Sequence, residues 1–398
     1  MSPKRPFVLL LLALAVMLSA CGSSVPTATP TPENSPTGTV LPTMTLAPTQ
    51  TTAATPTPAA PTATPLAQVG PTNFPANIDP LTGLAVADVS RLNRRPLVVK
   101  VENLPREDRP QWGLSQADLV FENYTEQGTT RFTTVYYGQD ATKIGPVRSA
   151  RLFDINVVDM YKAVLVFSGA WEVELNELYA SDFADRLVTE KRDGCPAFCR
   201  SNEDGHSFLM ANTAAMGDYL TKLGIDNTRQ NEDGMFFAVQ PPTGGQALPQ
   251  LFVRFSSAIY NRWDYDPATG TYLRFADDQN AYNVASEHYT QLVDRATGQP
   301  IRADNVVVLW AQYSQVAPDS GSQIYDVGMV GKGNALIARD GQFYQLRWER
   351  QDAHTPIHLI DADGKPFPFK PGNTWFEVVG ANSAITPQQG SLRVTFTP

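Results

Sequence analysis

Three arginines and two acidic residues lie close together in the sequence. They are Glu122, Arg131, Arg148, Arg151 and Asp154. A guanidinium presents paired N–H donors that match the oxygens of phosphate and carboxylate groups. If the segments that carry the arginines form adjoining strands, the three guanidiniums converge at one end of a sheet beside acidic groups. This pattern predicts a site for an anionic ligand, but an internal network of arginines and glutamates that holds loops together would have the same composition.

The other motifs of the chain lack residues that their chemistry requires. His354 and His358 have the spacing of a zinc-binding helix, but Pro356 breaks that helix and no glutamate lies between the histidines. Gly331 and Gly333 resemble the start of a dinucleotide-binding loop, but the third glycine is absent. We therefore expect neither a bound metal nor a cofactor.

Apolar patterns around the arginines predict the elements that position them. Alternating apolar residues within 95–102 and a short apolar run within 117–122 predict strands, as does the aromatic-rich segment 131–138. Residues 152–161 and 212–223 space their apolar residues as helices do. The mixture predicts an α+β fold whose N-terminal domain, residues 78–235, is a mixed α/β sandwich.

The pattern changes after residue 236. Short β-rich runs alternate with turn signals such as those at residues 266–270 and 340–341. Residues 305–310 form a continuous apolar run that suits the centre of a sheet. We therefore expect a smaller, mainly antiparallel β domain over residues 236–398.

The amino terminus has the features of a bacterial lipoprotein signal. Lys4 and Arg5 precede an apolar run over residues 7–18, and Leu18-Ser-Ala-Cys21 is typical of a lipobox. The run is shorter than the roughly 20 residues that span a hydrocarbon core. The pattern predicts a signal peptide over residues 1–20, an acylated Cys21 and a lipid anchor on the extracytoplasmic face of the cell membrane.

The segment after Cys21 is rich in proline, threonine, alanine and serine. It carries a single charge, at Glu33, before about residue 73. Such a segment buries too little apolar surface to offset its ordering entropy, so we expect a disordered stalk over residues 21–77. For the whole chain the net charge is −9 and no basic stripe is visible, which argues against nucleic acid as a partner.

Two cysteines remain once Cys21 carries lipid. They are Cys195 and Cys199, and an even pair outside the cytosol favours a disulfide between them. A redox centre is the alternative, although oxidoreductase motifs place two residues between their cysteines and this pair has three between. A zinc site would need further ligands, and the four histidines are scattered.

Several long motifs carry a resemblance to a known family. They include Ile78-Asp-Pro-Leu-Thr-Gly-Leu84, Ile144-Gly-Pro-Val-Arg-Ser-Ala-Arg151 and Pro371-Gly-Asn-Thr-Trp375. In these segments the chain closely resembles the YerB-like bacterial lipoproteins, a domain of unknown function. The resemblance implies a two-domain lipoprotein on the outer face of the membrane, with no established activity. It also covers Gly205-His206-Ser207, where the family has Pro-His-Asn, and adds His206 to the candidate ligand-binding residues.

Two classes of function follow from these features. In the first, the protein is a tethered binding or scaffold module that holds a cell-wall component or an envelope protein, either in a cleft near Arg148 and Arg151 or in the groove between its two domains. In the second, it is a phosphotransferase or hydrolase that acts on pyrophosphate-linked cell-wall precursors. The strand, turn and strand that carry Arg131 and Arg148 are weakly similar to the LytR-CpsA-Psr phosphotransferases. That similarity implies arginines on the phosphates and Asp154 or Glu122 on magnesium or as a base.

Overall fold

Residues 66–316, 321 and 323–398 are described by the computed structural model. The predicted signal peptide, Cys21 and most of the predicted stalk lie outside these residues. Residues 68–69, at the end of the predicted stalk, form a strand that pairs with residues 237–238. The regular structure therefore begins before Ile78.

The described part of the chain is mostly β-sheet with three α-helices. The helices are α1 (Leu152–Met160), α2 (Glu172–Ala180) and α3 (Thr213–Leu223). The strands, in chain order, are β1 (Gln68–Val69), β2 (Leu97–Glu102), β3 (Leu119–Tyr124), β4 (Thr130–Tyr136), β5 (Val164–Val166), β6 (Leu187–Val188), β7 (Phe198–Glu203), β8 (His206–Ala211), β9 (Phe237–Ala238), β10 (Gln246–Ala247), β11 (Gln250–Arg254), β12 (Tyr260–Asp266), β13 (Thr271–Asp277), β14 (Tyr289–Gln291), β15 (Arg302–Ala303), β16 (Asn305–Val316), β17 (Ile324–Gly328), β18 (Gly331–Arg339), β19 (Gln342–Arg350), β20 (His358–Ile360), β21 (Thr374–Gly380), β22 (Ala384–Gln388) and β23 (Ser391–Thr395).

Two large sheets dominate the fold. The larger has 12 strands in the order β10-β19-β18-β16-β21-β3-β4-β2-β5-β6, with β17 paired to β16 and β20 paired to β19. The smaller has 7 strands in the order β14-β13-β12-β11-β23-β22, with β15 paired to β13. Strands from both predicted domains, β3 and β21, pair in parallel at the middle of the larger sheet. The larger sheet thus contains strands from both sides of the predicted boundary between residues 235 and 236. The division into two domains at this boundary stays a prediction.

The middle strands of the larger sheet, which are β21, β3, β4, β2 and β5, are buried on both faces. Alternate residues of β2 point to opposite sides, so Val99 and Val101 pack in one cluster with Leu251 of the smaller sheet. On the other face, Val98 packs in a cluster with Val157 of α1. This burial on both sides explains why the central strands are near-continuous apolar runs.

Helix α3 has the termini that the sequence predicts. The Asn212 side chain accepts a hydrogen bond from the Ala215 backbone N–H at 3.3 Å, and Gly224 ends the helix with φ of 72°. Among the residues that the structure describes, none of the helices combines the length and the apolar character that a membrane span needs.

Several strands of the larger sheet share one direction. β16, β21 and β3 are parallel neighbours, and so are β2, β5 and β6. β4 lies antiparallel between β3 and β2, so these two groups also run the same way. In such sheets the carboxyl ends of parallel strands form the edge at which ligands bind.

The predicted disulfide between Cys195 and Cys199 is wrong, because both residues are free thiols. The prediction depended on the compartment and on an even number of cysteines, and neither fixes the positions of the sulfur atoms. Cys199 is held in β7, opposite Met210 of β8, whereas Cys195 lies in the turn before that strand. Burial and the neighbouring Cys195 thiol raise the pKa of Cys199 to about 11.

Candidate functional site

The predicted ligand-binding residues occupy four different environments. Glu122 and Asp154 are buried in separate polar networks. Arg131 and Arg151 surround Glu126 at the carboxyl end of β3. Arg148 lies apart from them and contacts two other acidic residues. The three guanidiniums therefore do not meet at one point.

Glu122 belongs to a network that joins the two large sheets. Its carboxylate accepts hydrogen bonds from the Thr130 hydroxyl at 2.7 Å and from the Arg274 guanidinium of β13 at 2.5 Å. Arg274 also donates to Glu377 of β21 at 3.0 Å, and the Trp263 indole N–H donates to the same carboxylate at 2.8 Å. Both Glu122 oxygens are thus occupied by groups of the protein itself.

Asp154 forms a second buried network between β2 and α1. Its Oδ1 accepts hydrogen bonds from the Lys100 ammonium at 2.8 Å and from the Thr133 hydroxyl at 2.6 Å. Its Oδ2 accepts the Arg151 backbone N–H at 2.7 Å, which caps the first turn of α1. Asp154 therefore holds the helix against the sheet.

Arg151 and Arg131 share one carboxylate, that of Glu126. Arg151 donates to both Glu126 oxygens, through Nε at 2.8 Å and through Nη2, and its Nη1 donates to the Ala150 carbonyl at 2.7 Å. Arg131 donates to Glu126 at 3.3 Å and to the Ser149 carbonyl at 2.8 Å. Burial raises the pKa of Glu126, but the hydrogen bonds and charge of Arg151 outweigh burial and lower it.

Arg148 forms what we call the Glu102 cluster, which consists of Glu102, Asp108, Arg148 and His206. Arg148 Nε donates to Glu102, and its Nη2 donates to Asp108 at 3.3 Å. His206 Nδ1 lies 3.6 Å from the other Asp108 oxygen. The Arg148 side chain is 42% exposed and that of His206 is 60% exposed, whereas both carboxylates are buried. Two buried acids thus lie beneath a cation and an imidazole that face solvent.

Glu102 is the unusual group of this cluster. Its Oε1 is buried and has no hydrogen-bond partner among the described residues. Burial raises the pKa of Glu102 to about 8, because the neighbouring Arg148 guanidinium only partly offsets the loss of solvation and Asp108 adds a further increase. The pKa of Glu102 is thus shifted toward physiological pH, where a carboxyl group can exchange a proton. Such perturbed groups concentrate at functional sites.

Glu102 and Asp108 were not among the residues that the sequence pointed to. Glu102 is the last residue of the predicted strand β2. Because ligands often bind at the carboxyl ends of parallel strands, this position could have identified Glu102 as a candidate site residue. Asp108 lies in a short 3-10 turn, Arg106–Asp108, that no apolar pattern predicts. Asp108 contacts Arg148 and His206, which are 40 or more positions away in the sequence. No local sequence pattern could therefore have indicated these contacts.

A possible metal-ligand group lies at the other end of α1. Within the described ranges, ligand atoms of Asp159, Asp182 and His354 lie within 4.8 Å of one another. His354 thus approaches two aspartates, whereas His358 lies in β20 opposite Glu349. Neither the Glu102 cluster nor the residues around Glu126 contribute to this group.

Comparisons with known proteins agree on one family. Residues 81–226 match the model described as "Protein of unknown function (DUF3048) N-terminal domain", and residues 251–376 match that of the DUF3048 C-terminal domain. The chain is 29% identical over 322 residues to "Putative lipoprotein YerB" of Bacillus subtilis (strain 168), which covers 78% of this chain and 88% of that protein.

The fold is also similar to a solved structure. The crystal structure of the YerB protein from Bacillus subtilis matches with a TM-score of 0.61 and 24% identity, over 76% of this chain and 96% of that one. At this identity the likeness shows the fold alone. The two family models match the segments on which the sequence resemblance depended, and the chain therefore belongs to the YerB-like DUF3048 family, whose function is unknown.

Proposed function

We propose that the protein is a lipid-anchored binding module on the extracytoplasmic face of the cell membrane, and that the Glu102 cluster holds an anionic ligand of the cell envelope. The predicted lipobox at Cys21 supports the anchor, as does the name of the Bacillus subtilis relative. The predicted stalk, rich in proline and threonine, supports a tethered module, because such a segment would give reach and raise the local concentration of the binding site.

The exposed guanidinium of Arg148 is the observation that carries this proposal. Its Nε and Nη2 are directed at Glu102 and Asp108, and its Nη1 has no hydrogen bond to the described residues. A phosphate or carboxylate oxygen can approach this free edge. His206 Nδ1 lies 3.6 Å from Asp108, the carboxylate that Arg148 also contacts. Burial raises the pKa of Glu102 and so favours its neutral form, which reduces the negative charge that an incoming anion meets.

Arg131 and Arg151 already donate hydrogen bonds to groups of the protein, and this favours a binding function over phosphoryl transfer. A phosphotransferase would need several open guanidiniums around the phosphates and carboxylates free to hold magnesium. Arg151 and Arg131 are engaged by Glu126 and by backbone carbonyls. Glu122 and Asp154, the acids considered for magnesium or base catalysis, are engaged by Arg274 and Lys100.

The test uses the full chain in detergent micelles with a polyprenyl pyrophosphate, with and without magnesium. We expect binding without turnover, and we expect Arg148→Ala to weaken it about tenfold or more, because a charge-assisted hydrogen bond is lost. Arg192→Ala, which removes an exposed arginine that forms no hydrogen bond or ion pair with the described residues, is the matched control. Turnover that disappears in Arg148→Ala would overturn the binding module in favour of the phosphotransferase or hydrolase.

The anchor is tested separately. We expect radiolabelled palmitate to enter the wild-type protein and not the Cys21→Ser variant when both are expressed in a bacterium that processes lipoproteins. Absence of label from the wild type, with the protein recovered in the cytosol, would contradict the proposed location.

A further inference from the structure

A cleft lies beside Trp171, and no residue of the Glu102 cluster lines it. Its volume is about 200 Å³. Glu126 follows the carboxyl end of β3, and Trp171 follows β5 and precedes α2, so the cleft opens at the edge where parallel strands end. Its principal lining side chains are those of Glu126, Gln127, Arg151, Trp171, Glu174 and Gln323.

Trp171 is the exposed tryptophan of the described part of the chain. It is 63% exposed, whereas Trp112, Trp263, Trp348 and Trp375 are buried and Trp310 is half-buried. Its backbone is fixed, because its N–H donates to Glu174 Oε2 at 3.1 Å at the start of α2. An exposed indole on a fixed backbone presents a flat apolar surface at a small cost in conformational entropy.

The remaining lining groups form hydrogen bonds rather than apolar contacts. Glu126 and Glu174 bring two carboxylates, Arg151 brings a guanidinium that both acids contact, and Gln127 and Gln323 bring amides. Each guanidinium nitrogen of Arg151 already faces an oxygen of the protein, so a strongly charged anion gains little here. The surroundings of Trp171 are therefore polar, and their charges are largely paired.

Among envelope ligands, a saccharide fits this combination. One face of a sugar ring carries C–H groups that pack on an aromatic ring, while its hydroxyls exchange hydrogen bonds with carboxylates, amides and guanidiniums. An apolar peptide segment would instead require an apolar lining, and here Ile324 is the aliphatic residue that lines the cleft.

We propose that the Trp171 cleft binds a sugar ring of an envelope glycan, with the indole as the stacking surface and the Glu126 and Glu174 carboxylates as hydroxyl partners. The inference rests on the proposed function in one respect, since it requires the protein to face the envelope. The Trp171 cleft would give the protein a second ligand contact, whose chemistry differs from that of the anionic site at Arg148.

The probe for this proposal is a soluble oligomer of N-acetylglucosamine, titrated into the full chain in detergent micelles. Calorimetry and tryptophan fluorescence report binding. We expect Trp171→Ala to weaken binding about tenfold or more, as truncation of a central aromatic contact does, and Trp171→Phe to retain most of it. Tyr282→Ala is the matched control, because Tyr282 is 83% exposed and does not line the cleft.

The outcomes separate this proposal from the proposed function. Oligosaccharide binding that is the same in Trp171→Ala and the wild type overturns the glycan site. Absence of oligosaccharide binding overturns it as well, and the proposed function stands if the polyprenyl pyrophosphate still binds through Arg148. Saccharide binding that depends on Trp171, with no binding of the pyrophosphate, supports the cleft and contradicts the anionic site. Equal melting temperatures show that the Trp171 variants are folded.

Discussion

Arg274 and Glu122 form a buried ion pair, 2.5 Å between nitrogen and oxygen, that joins the two large sheets. Arg274 lies on β13 of the smaller sheet and Glu122 on β3 of the larger. The same guanidinium reaches Glu377 of β21 and lies over the Trp375 ring, 4.3 Å from its centroid. One cation thus compensates two carboxylates between the sheets. Burial, followed by the Glu122 charge, raises the pKa of Glu377 to about 7.

Replacing Arg274 with methionine should strongly destabilise the protein. The change leaves Glu122 and Glu377 without their common cation in a place that water does not reach, which typically costs about 3–5 kcal/mol. Urea unfolding followed by circular dichroism measures the loss. The control is Arg262→Met, whose ion pair with Asp264 is partly exposed and should contribute about 1 kcal/mol or less. Equal losses in the two variants would contradict a special role for Arg274.

Lys100 and Asp154 should behave as a structural pair rather than as part of a ligand site. Both side chains are fully buried, and burial lowers the pKa of Lys100 although the nearby Asp154 opposes this shift. We expect Lys100→Met and Asp154→Leu each to cost about 3–5 kcal/mol, because each leaves one buried charge alone.

The double variant provides the decisive comparison for this pair. Lys100→Met with Asp154→Leu leaves no unpaired charge, so its loss should be clearly smaller than the sum of the two single losses. Urea unfolding of all four chains gives the coupling free energy. Additive losses would show that the two side chains do not depend on each other.

Glu102 should make stability depend on pH. Its pKa is raised from 4.5 to about 8 in the folded protein, so the folded state holds this proton more tightly than the unfolded state. The resulting stabilisation is complete below pH 4.5 and is lost as the pH rises through about 8. Each difference of one between the pKa in the folded state and the pKa in the unfolded state changes the free energy of unfolding by about 1.4 kcal/mol.

Glu102→Gln isolates this contribution, because glutamine resembles the protonated acid at every pH. We expect the wild type and this variant to be similarly stable near pH 5, and the variant to be more stable by about 2 kcal/mol or more near pH 9. Urea unfolding at several pH values measures the difference. Glu107→Gln, at an exposed neighbouring position, should track the wild type throughout. A difference that does not change with pH would refute the raised pKa.

Local patterns predicted several of the central strands and helices, whereas the contacts between elements distant in sequence were not predicted. The strand β2 and the helix α3 are confirmed because their apolar spacing and caps lie within the segments themselves. Nothing near Glu122 indicates that its partner, Arg274, lies 152 residues away. Alternation along β3 could place Glu122 on a face of the sheet, but only the packing of the second sheet decides what covers that face.

The arginine cluster illustrates the same limit at the candidate site. The sequence grouped Arg131, Arg148 and Arg151 because they are neighbours along the chain. In the fold, Arg148 is directed at Glu102 and Asp108, while the other two are directed at Glu126. A chain segment that passes over the end of a sheet sends successive side chains to different sides. Nearness in sequence therefore did not imply one common site.

The two cysteines should react as thiols without prior reduction. Cys195 is exposed, whereas the pKa of Cys199 is raised to about 11 by burial and by the neighbouring Cys195 thiol. The thiolate is the reactive form, so we expect iodoacetamide near pH 8 to label Cys195 faster than Cys199. Peptide mass spectrometry of protein kept under nonreducing conditions measures both rates, and protein unfolded in urea, where the two rates should converge, is the control. A peptide in which Cys195 and Cys199 are joined and neither is labelled would restore the disulfide that the oxidising compartment favours.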